Sequence, residues 1–328
     1  MVLRSWKHER ERTSITRQLA TRTAHVVHVT HNDLDAVGAD AIHRIRYTNV
    51  FTIFSSVGKY PHYLDMLAEL PGNGDTISIS DLSYRPGAEY PVARAKENGW
   101  KIEWRDHHRW TDEEVHTIQS RVDILHIDTG SCGCGICAKD LLPCDVIGEE
   151  IARVVCDYDL WRHQDPRSHV LGLVLQERNN REYVRDCLVL GVFRDKTIDE
   201  EYAKITDKMN RVKEKTRTDA SVFQKKKTVV VAPMYGYPSE TAAYLREQLN
   251  SDIEVLVSKR GKFSIRSKDP VSHLIAREYG GGGHPHAAGG QFSFSVLDRL
   301  SLLFLKKNRH FADVANLAEK IRNTRNHR

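Results

Sequence analysis

The sequence predicts an α/β protein of two domains, the first built on a parallel sheet and the second a smaller α/β unit. Three observations carry that reading. From Ala24 onward, short β-branched runs alternate with amphipathic stretches of helical period, the pattern of βαβ units and of a mostly parallel sheet covered on both faces. The chain has 328 residues, more than one hydrophobic core usually gathers. A charged helical stretch then separates this first alternating region from a second one.

In the first domain, expected over 24–195, the runs His25–Thr30, Val50–Ser55, Thr76–Ser80, Lys101–Arg105 and Val122–Ile127 read as strands, with helices in the gaps. Between Lys196 and Lys227 ten Lys or Arg stand against six Asp or Glu, while Tyr202, Ile205, Met209 and Val212 keep one apolar stripe, so 196–227 is expected to be a solvated linker helix. The second domain, 228–305, opens with strand Thr228–Ala232. A helix near Glu240–Leu249, strands Ile253–Ser258 and Lys262–Arg266, a helix over Pro270–Tyr279, a glycine run and a strand Gln291–Ser295 follow. Helices Val296–Lys306 and Phe311–Ile321 close the chain, with 306–328 forming a terminal helix and a basic tail expected to fray from Arg322.

Composition excludes several classes. No apolar run approaches the ~18 residues of a membrane span, so no membrane partner is expected. Met1 to Arg22 is rich in Arg and Lys but has no apolar core of a secretory signal, which predicts a cytoplasmic protein. The six cysteines, four of them between Cys132 and Cys144, do not resemble the framework of a small secreted domain, and reduced thiols are expected. A net charge of +5 favours polyanionic partners only slightly.

The decisive pattern is where the acids and imidazoles fall. His31, Asp33 and Asp35 follow the first strand, Asp81 the third, Asp106, His107 and His108 the fourth, and Asp128 the fifth. Carboxyl ends of parallel strands form a common crevice, so these loops converge. Singly, Asp33 or Asp35 is an ordinary helix N-cap. Together, so many carboxylates repel one another unless cations neutralise them. Oxygen-rich ligation with one or two imidazoles suits Mn(II), with Mg(II) or Co(II) as alternatives. Two such ions would activate water and clamp a phosphoryl group, the design of a metal-dependent phosphoesterase.

At these residues the chain resembles the DHH phosphoesterase superfamily. His31-Asn32-Asp33-Leu34-Asp35 is similar to its first motif, Asp81 in Ser80-Asp81-Leu82-Ser83 to its second, Asp106-His107-His108 to its third, and Asp157 in Cys156-Asp157-Tyr158-Asp159 to its fourth. Gly280 to Gly283 followed by His284 is similar to the glycine motif of the DHH-associated substrate-binding domain. The resemblance covers about 24–305. It implies an N-terminal parallel-sheet DHH domain, a C-terminal substrate-binding domain and an active site in the cleft between them. By position it implies His31, Asp33 and Asp81 at one metal, and Asp35, Asp81, His107 and Asp157 at the other. His108 would stand beside the phosphate as a charge stabiliser or proton donor, with Asp106 orienting the histidines. Arg266, Ser267, Gly281, Gly282, Gly283 and His284 would bind substrate. Such a set suits an anion, since glycine amides, a guanidinium and an imidazole all donate to phosphate.

Within the superfamily the motifs are closest to the B-type nanoRNases, which implies hydrolysis of short single-stranded RNA. The alternatives are a phosphatase of 3′,5′-bisphosphate nucleotides, a cyclic or linear dinucleotide phosphodiesterase, a RecJ-like single-strand DNA exonuclease, and, in another class, a catalytically silent scaffold. A homodimer is left open. Trp110 and Trp161 offer faces for base stacking, against the commoner use of Trp as core filler. Cys132, Cys134, Cys137 and Cys144 include one zinc-knuckle gap, but small-residue packing at a strand-to-helix turn explains them better. His25 and His28, three apart on a strand, face opposite sides and read as ordinary sheet residues.

Overall fold

In the computed structural model, which describes residues 15–325, the chain forms two compact units dividing between Ala203 and Lys204. The basic stretch before residue 15 and the last residues of the tail, 326–328, lie outside the described residues. No described helix is long and apolar enough to cross a membrane.

The first unit holds strands β1 (Val26–Thr30), β2 (Val50–Phe54), β3 (Thr76–Ser80), β4 (Lys101–Asp106) and β5 (Ile124–Ile127) in one parallel sheet of order β2-β1-β3-β4-β5. The first crossover helices are α1 (Leu34–Tyr47), α2 (Tyr60–Ala68), α3 (Glu89–Glu97) and α4 (Asp112–Gln119). After β5 come four more, α5 (Gly133–Leu141), α6 (Val146–Asp159), α7 (Pro166–Val174) and α8 (Arg181–Val189). Strand alternation splits the sheet into two faces. Val27, Val29, Ile77, Ile79, Ile102 and Trp104 pack with α2 and α3 in one core. The other face lies under α1 and is polar, with His28, Thr30, Ser78, Ser80 and Arg105 all buried. A second apolar core forms beyond it, where α1, α5, α6, α7 and α8 pack on one another.

Helix α9 (Lys196–Thr218) runs across the unit boundary. It stops earlier than the expected linker, and β6 (Ser221–Gln224) joins the sheet of the second unit instead. That mixed sheet has the order β10-β11-β9-β8-β7-β6, with β7 (Thr228–Pro233), β8 (Ile253–Val257), β9 (Lys262–Ser267), β10 (Gly282–His284) and β11 (Ala287–Gln291). Helices α10 (Pro238–Leu249), α11 (Ser272–Arg277), α12 (Val296–Leu305) and α13 (Arg309–Arg325) complete the unit.

Two expectations fail here for physical reasons. The strand expected at Gln291–Ser295 lies earlier, because the glycine run is itself a hairpin strand against β11. Glycine permits this pairing: a Cβ at residue 281 would meet the Gly289 carbonyl oxygen at 2.0 Å, and Gly283 has φ +136°. The basic residues from Arg322 continue α13 to Arg325 rather than leaving the helix.

Candidate metal centre

Backbone geometry delivers the polar side chains of the first unit to one sheet edge. Beyond β1, Asp33 caps α1, its Oδ1 accepting from the Ala36 amide at 3.2 Å. Asp35 sits in the first turn of α1 and is buried. Asp81 follows β3 with φ +52°, a left-handed conformation that, outside glycine, Asn and Asp adopt most often. Asp106 ends β4 and leads into His107 and His108.

Ligand atoms there converge in three groups, each within 4.8 Å: His31, Asp33 and Asp81; Asp35, His107 and Asp159; and Asp81, His107 and His108. Asp81 belongs to two of them, as a bridging carboxylate would. His31 Nδ1 lies 2.7 Å from Asp33 Oδ2 and 3.8 Å from Asp81 Oδ2. His107 Nε2 lies 3.3 Å from Asp81 Oδ1 and 3.8 Å from Asp35 Oδ2, and its Nδ1 lies 3.7 Å from Asp159 Oδ2. Asp35 is clasped from behind, Oδ2 by the Gly133 amide and Oδ1 by the Cys134 amide, both at 2.7 Å, at the N-terminus of α5. A carboxylate is favoured there by the helix dipole. Asp106 is fully buried and accepts from His108 Nδ1 at 2.8 Å and Trp110 Nε1 at 2.7 Å.

The electrostatics of the cluster suit a cation. Burial, followed by the charges of Asp159 and Asp33, pushes the Asp35 carboxyl well above the usual range despite its two amide bonds. Burial, followed by the charges of Asp33, Asp35 and Asp159, does the same to Asp81. Asp159 is pushed up to about 6 by burial and then by the Asp33 charge. Burial opposes ionisation of Asp33 too, but its bond to His31 holds that carboxyl low. His108 is desolvated, yet Asp106 raises its pKa. Asp81 Oδ2 and Asp159 Oδ2 are buried with no hydrogen-bond partner. Unpartnered buried carboxylate oxygens are costly, and this donor set of oxygens and imidazoles fits divalent cations.

One expected ligand is displaced. Asp157 is not in any of these groups; its carboxylate accepts from the Gln164 and Asp165 amides at 2.9 and 3.1 Å and from Ser168 Oγ at 2.5 Å, bracing the turn into α7. Asp159 takes the place beside His107 and Asp35. The reason is helical phase: residues two apart on α6 point to nearly opposite sides. Asp159 instead shares a side with Val155, whose Cγ2 would lie 2.7 Å from a Cβ on Gly38 of α1, the helix that carries Asp35. Helical phase was therefore the signal that distinguishes the two acids. Asp128 also stays outside the groups and closes its own turn by accepting from the Gly130 amide.

The cysteines depart from expectation. Cys132 and Cys156 form a disulfide, Cys134 and Cys137 are buried thiols, and Cys144 is exposed. The four cysteines weighed as zinc thiolates are not gathered, and no cysteine joins a candidate metal group among the described residues. Trp110 is packed edge-on against Trp104 and serves the core, whereas Trp161 is 51% exposed. His28 is buried and hydrogen-bonded to Ser80, while His25 is exposed beside Asp75.

In the second unit, β11 pairs Ala287 with both Arg266 of β9 and His284 of β10. Directly opposed residues point to the same face, so Arg266 and His284 flank the small Ala287, with backbones about 10 Å apart by strand spacing. Among the described residues Arg266 donates to neutral oxygens, those of Ser264, Ile265 and Ser239. Gly282 and Gly283 pair within the hairpin, and Gly281 precedes it, where a Cβ would meet the Gly289 carbonyl. Ser267 is not available as expected: it is buried, and its hydroxyl donates to the Asp269 carbonyl and bonds Ser272.

No protein-family model matches the chain, and no curated protein matches it by sequence. Solved structures do share its fold. The RecJ structure in complex with Mn2+ from Thermus thermophilus aligns at 16% identity over 94% of this chain and 54% of that one, with a TM-score of 0.55. An exonuclease RecJ bound to manganese aligns at 16% identity over 93% and 94% of the two chains, with a TM-score of 0.52. The pGpG-specific phosphodiesterase PggH from Vibrio cholerae aligns at 13% identity over 85% and 97%, with a TM-score of 0.51. The architecture these structures share with the chain is a five-stranded parallel sheet followed by a second α/β unit with a mixed sheet.

Proposed function

We propose that this chain is a two-metal phosphoesterase that cleaves phosphodiester bonds in short oligonucleotides, in the manner of a nanoRNase. The observation that carries the proposal is the pair of unpartnered buried oxygens, Asp81 Oδ2 and Asp159 Oδ2, set among His31, Asp33, Asp35 and His107. His31, Asp33 and Asp81 would hold one cation, and Asp35, His107 and Asp159 a second, with Asp81 shared. When bound, such cations polarise phosphoryl oxygens and make water acidic enough to attack at neutral pH.

The chain's own groups supply the rest. Asp106 fixes His108 by Nδ1 and raises its pKa, leaving Nε2 to hold a proton for the departing oxygen. Trp110 holds the second oxygen of Asp106, so that carboxylate cannot swing toward the cations. On the second unit, Arg266 and His284 offer two donors on one face, suited to a phosphate and its neighbouring sugar or base. Exposed Trp161, two residues past Asp159, offers a stacking surface for a base.

The test is a competition among RNA dimers to pentamers, DNA of matched length and of more than ten nucleotides, phosphoadenosine phosphate and cyclic dinucleotides, with Mn(II) or Mg(II). Preferred cleavage of short RNA, lost in Asp81→Asn, supports the proposal. Preference for DNA beyond ten nucleotides would refute the nanoRNase assignment, and no hydrolysis of any phosphoester with either ion would leave the fold as a scaffold.

A further inference from the structure

Two helix ends support the second candidate cation group, one by bonding Asp35 and the other by carrying Asp159, and one covalent bond joins them. The first is the N-terminus of α5. Cys132 is its N-cap, Sγ accepting from the Gly135 amide at 3.3 Å, and the next two amides clasp both oxygens of Asp35. The second is the last turn of α6. Cys156 lies three residues before Asp159, hence on nearly the same side of that helix. The Cys132–Cys156 disulfide ties these ends with a Cα–Cα distance of 5.2 Å.

The packing around the bond is close. A Cβ at residue 135 would come within 2.9 Å of Cys156 Sγ, and a Cβ at residue 133 within 2.8 Å of Asp35 Oδ2 and 3.0 Å of Asp81 Cβ. A shift of α5 relative to α6 therefore reaches Asp35 and Asp81 directly. Cys156 also lines an open groove of about 540 Å³ with Ser131, Gly135, Ala138 and Leu160, through which a small reductant can approach the sulfur.

We propose that the Cys132–Cys156 disulfide is a positioning pair for the metal centre, holding the α5 amides that clasp Asp35 against the α6 turn that carries Asp159, so that cation affinity falls when it is reduced. The inference rests on the metal-centre reading above. Neither cysteine is a ligand. Reduction leaves two thiols in a core of Val154, Val155, Ile151 and Ala138 that holds the helices packed. The helix ends are then free to separate slightly, and Asp35 and Asp159 no longer meet one ion at fixed spacing. Loss of such outer support typically weakens metal binding 10–100-fold, and about tenfold is expected here.

The test compares the full chain before and after treatment with a trialkylphosphine, which is then removed. In that step phosphorus attacks one sulfur, the S–S bond breaks, one water supplies the oxygen of the phosphine oxide, and both cysteines end as thiols. Thiol titration of the unfolded chain counts four free cysteines before and six after. Mn(II) affinity is measured by calorimetry and the melting temperature in parallel. The expected result is an about tenfold weaker Mn(II) affinity, recovered on reoxidation, with Cys156→Ser weak and indifferent to phosphine. A lowered melting temperature with unchanged Mn(II) affinity assigns the bond a purely structural role and overturns the proposal. Tight Mn(II) binding by a chain with six free thiols also overturns it. No Mn(II) binding by even the oxidised chain instead refutes the metal-centre reading, and this inference falls with it.

Discussion

Asp157 and Asp159 lie two residues apart on α6, and the structure assigns them opposite energetic signs. Asp159, held at about 6 by burial and by Asp33, is an acid whose ionised form the folded chain disfavours. Against an ordinary carboxyl near 4, this penalises the cation-free fold at pH 7.5 by roughly 3 kcal/mol. Because the folded pKa is raised, the penalty is present above it and disappears as pH falls through 6 toward 4. Asp159→Asn keeps the shape and removes the charge. In EDTA at pH 7.5 the variant should therefore melt about 5–10 °C higher than the parent, given ~2–4 °C per kcal/mol for a unit of this size. At pH 4.5 the difference should shrink to about 1 kcal/mol, or ~2–4 °C. With Mn(II) the order should reverse, since the parent gains from binding and the variant does not. Asp157→Asn should behave in the opposite way. Its carboxylate is held low, against burial, by Ser168 and the Gln164 and Asp165 amides, so losing it should cost about 1–3 kcal/mol while leaving most of the Mn(II) shift. Differential scanning calorimetry at both pH values, with and without Mn(II), tests all of this. If Asp159→Asn melts below the parent in EDTA, or keeps the full Mn(II) shift, the assignment of Asp159 to the cation site is wrong.

Three further outcomes follow from the same geometry. Gly133→Ala places a Cβ 2.8 Å from Asp35 Oδ2, and should weaken Mn(II) affinity 10–100-fold by calorimetry while circular dichroism stays native. Gly172→Ala brings a Cβ within 2.2 Å of the Tyr158 ring and should destabilise the first unit by about 1–3 kcal/mol in urea, with little effect on Mn(II) affinity. Burial works against the charge of Asp40, but His28, Arg44 and Thr52 hold its pKa low, so its stabilisation is present above the usual carboxylate range and lost as pH falls through the folded value. Asp40→Asn should lose about 3–5 kcal/mol at pH 7, and its urea midpoint should fall less steeply than the parent's on acidification below pH 4.

The parallel sheet was legible because its strands are short apolar runs rich in β-branched residues, and the sheet edge because four of the five runs are followed by an acid or imidazole. His31, Asp33, Asp35, Asp81 and His107 converge for that reason. Motif position alone could not choose between Asp157 and Asp159, because both are acids in one short segment. The choice depends on which face of α6 meets α1, and that is fixed by Val155 against Gly38. The disulfide was equally hidden. Cys156 lies 24 residues from Cys132, and the two meet only when α5 and α6 pack side by side. The glycine run carries no strand signal, since glycine weakens strand propensity, yet its missing side chains are what let β10 approach β11.

The polar face beneath α1 explains how Asp81 can stay in a left-handed conformation. Thr30 and Ser80 are the last residues of their strands, immediately before His31 and Asp81. Thr30 Oγ1 donates to the Ser80 carbonyl at 3.1 Å and lies 2.9 Å from its Oγ, which also bonds His28 Nε2 at 2.8 Å. Next to them His43 stacks on His28 with ring centroids 3.9 Å apart and reaches Ser78 Oγ at 2.8 Å. Burial lowers the pKa of both histidines, favouring the neutral imidazoles that these hydrogen bonds use. An apolar sheet face would pack as well, but it could not grip Ser80 through both its carbonyl and its hydroxyl. With Ser80 held at two points, the strained turn at Asp81 has no freedom to relax, and the carboxylate stays aimed at His31 and His107.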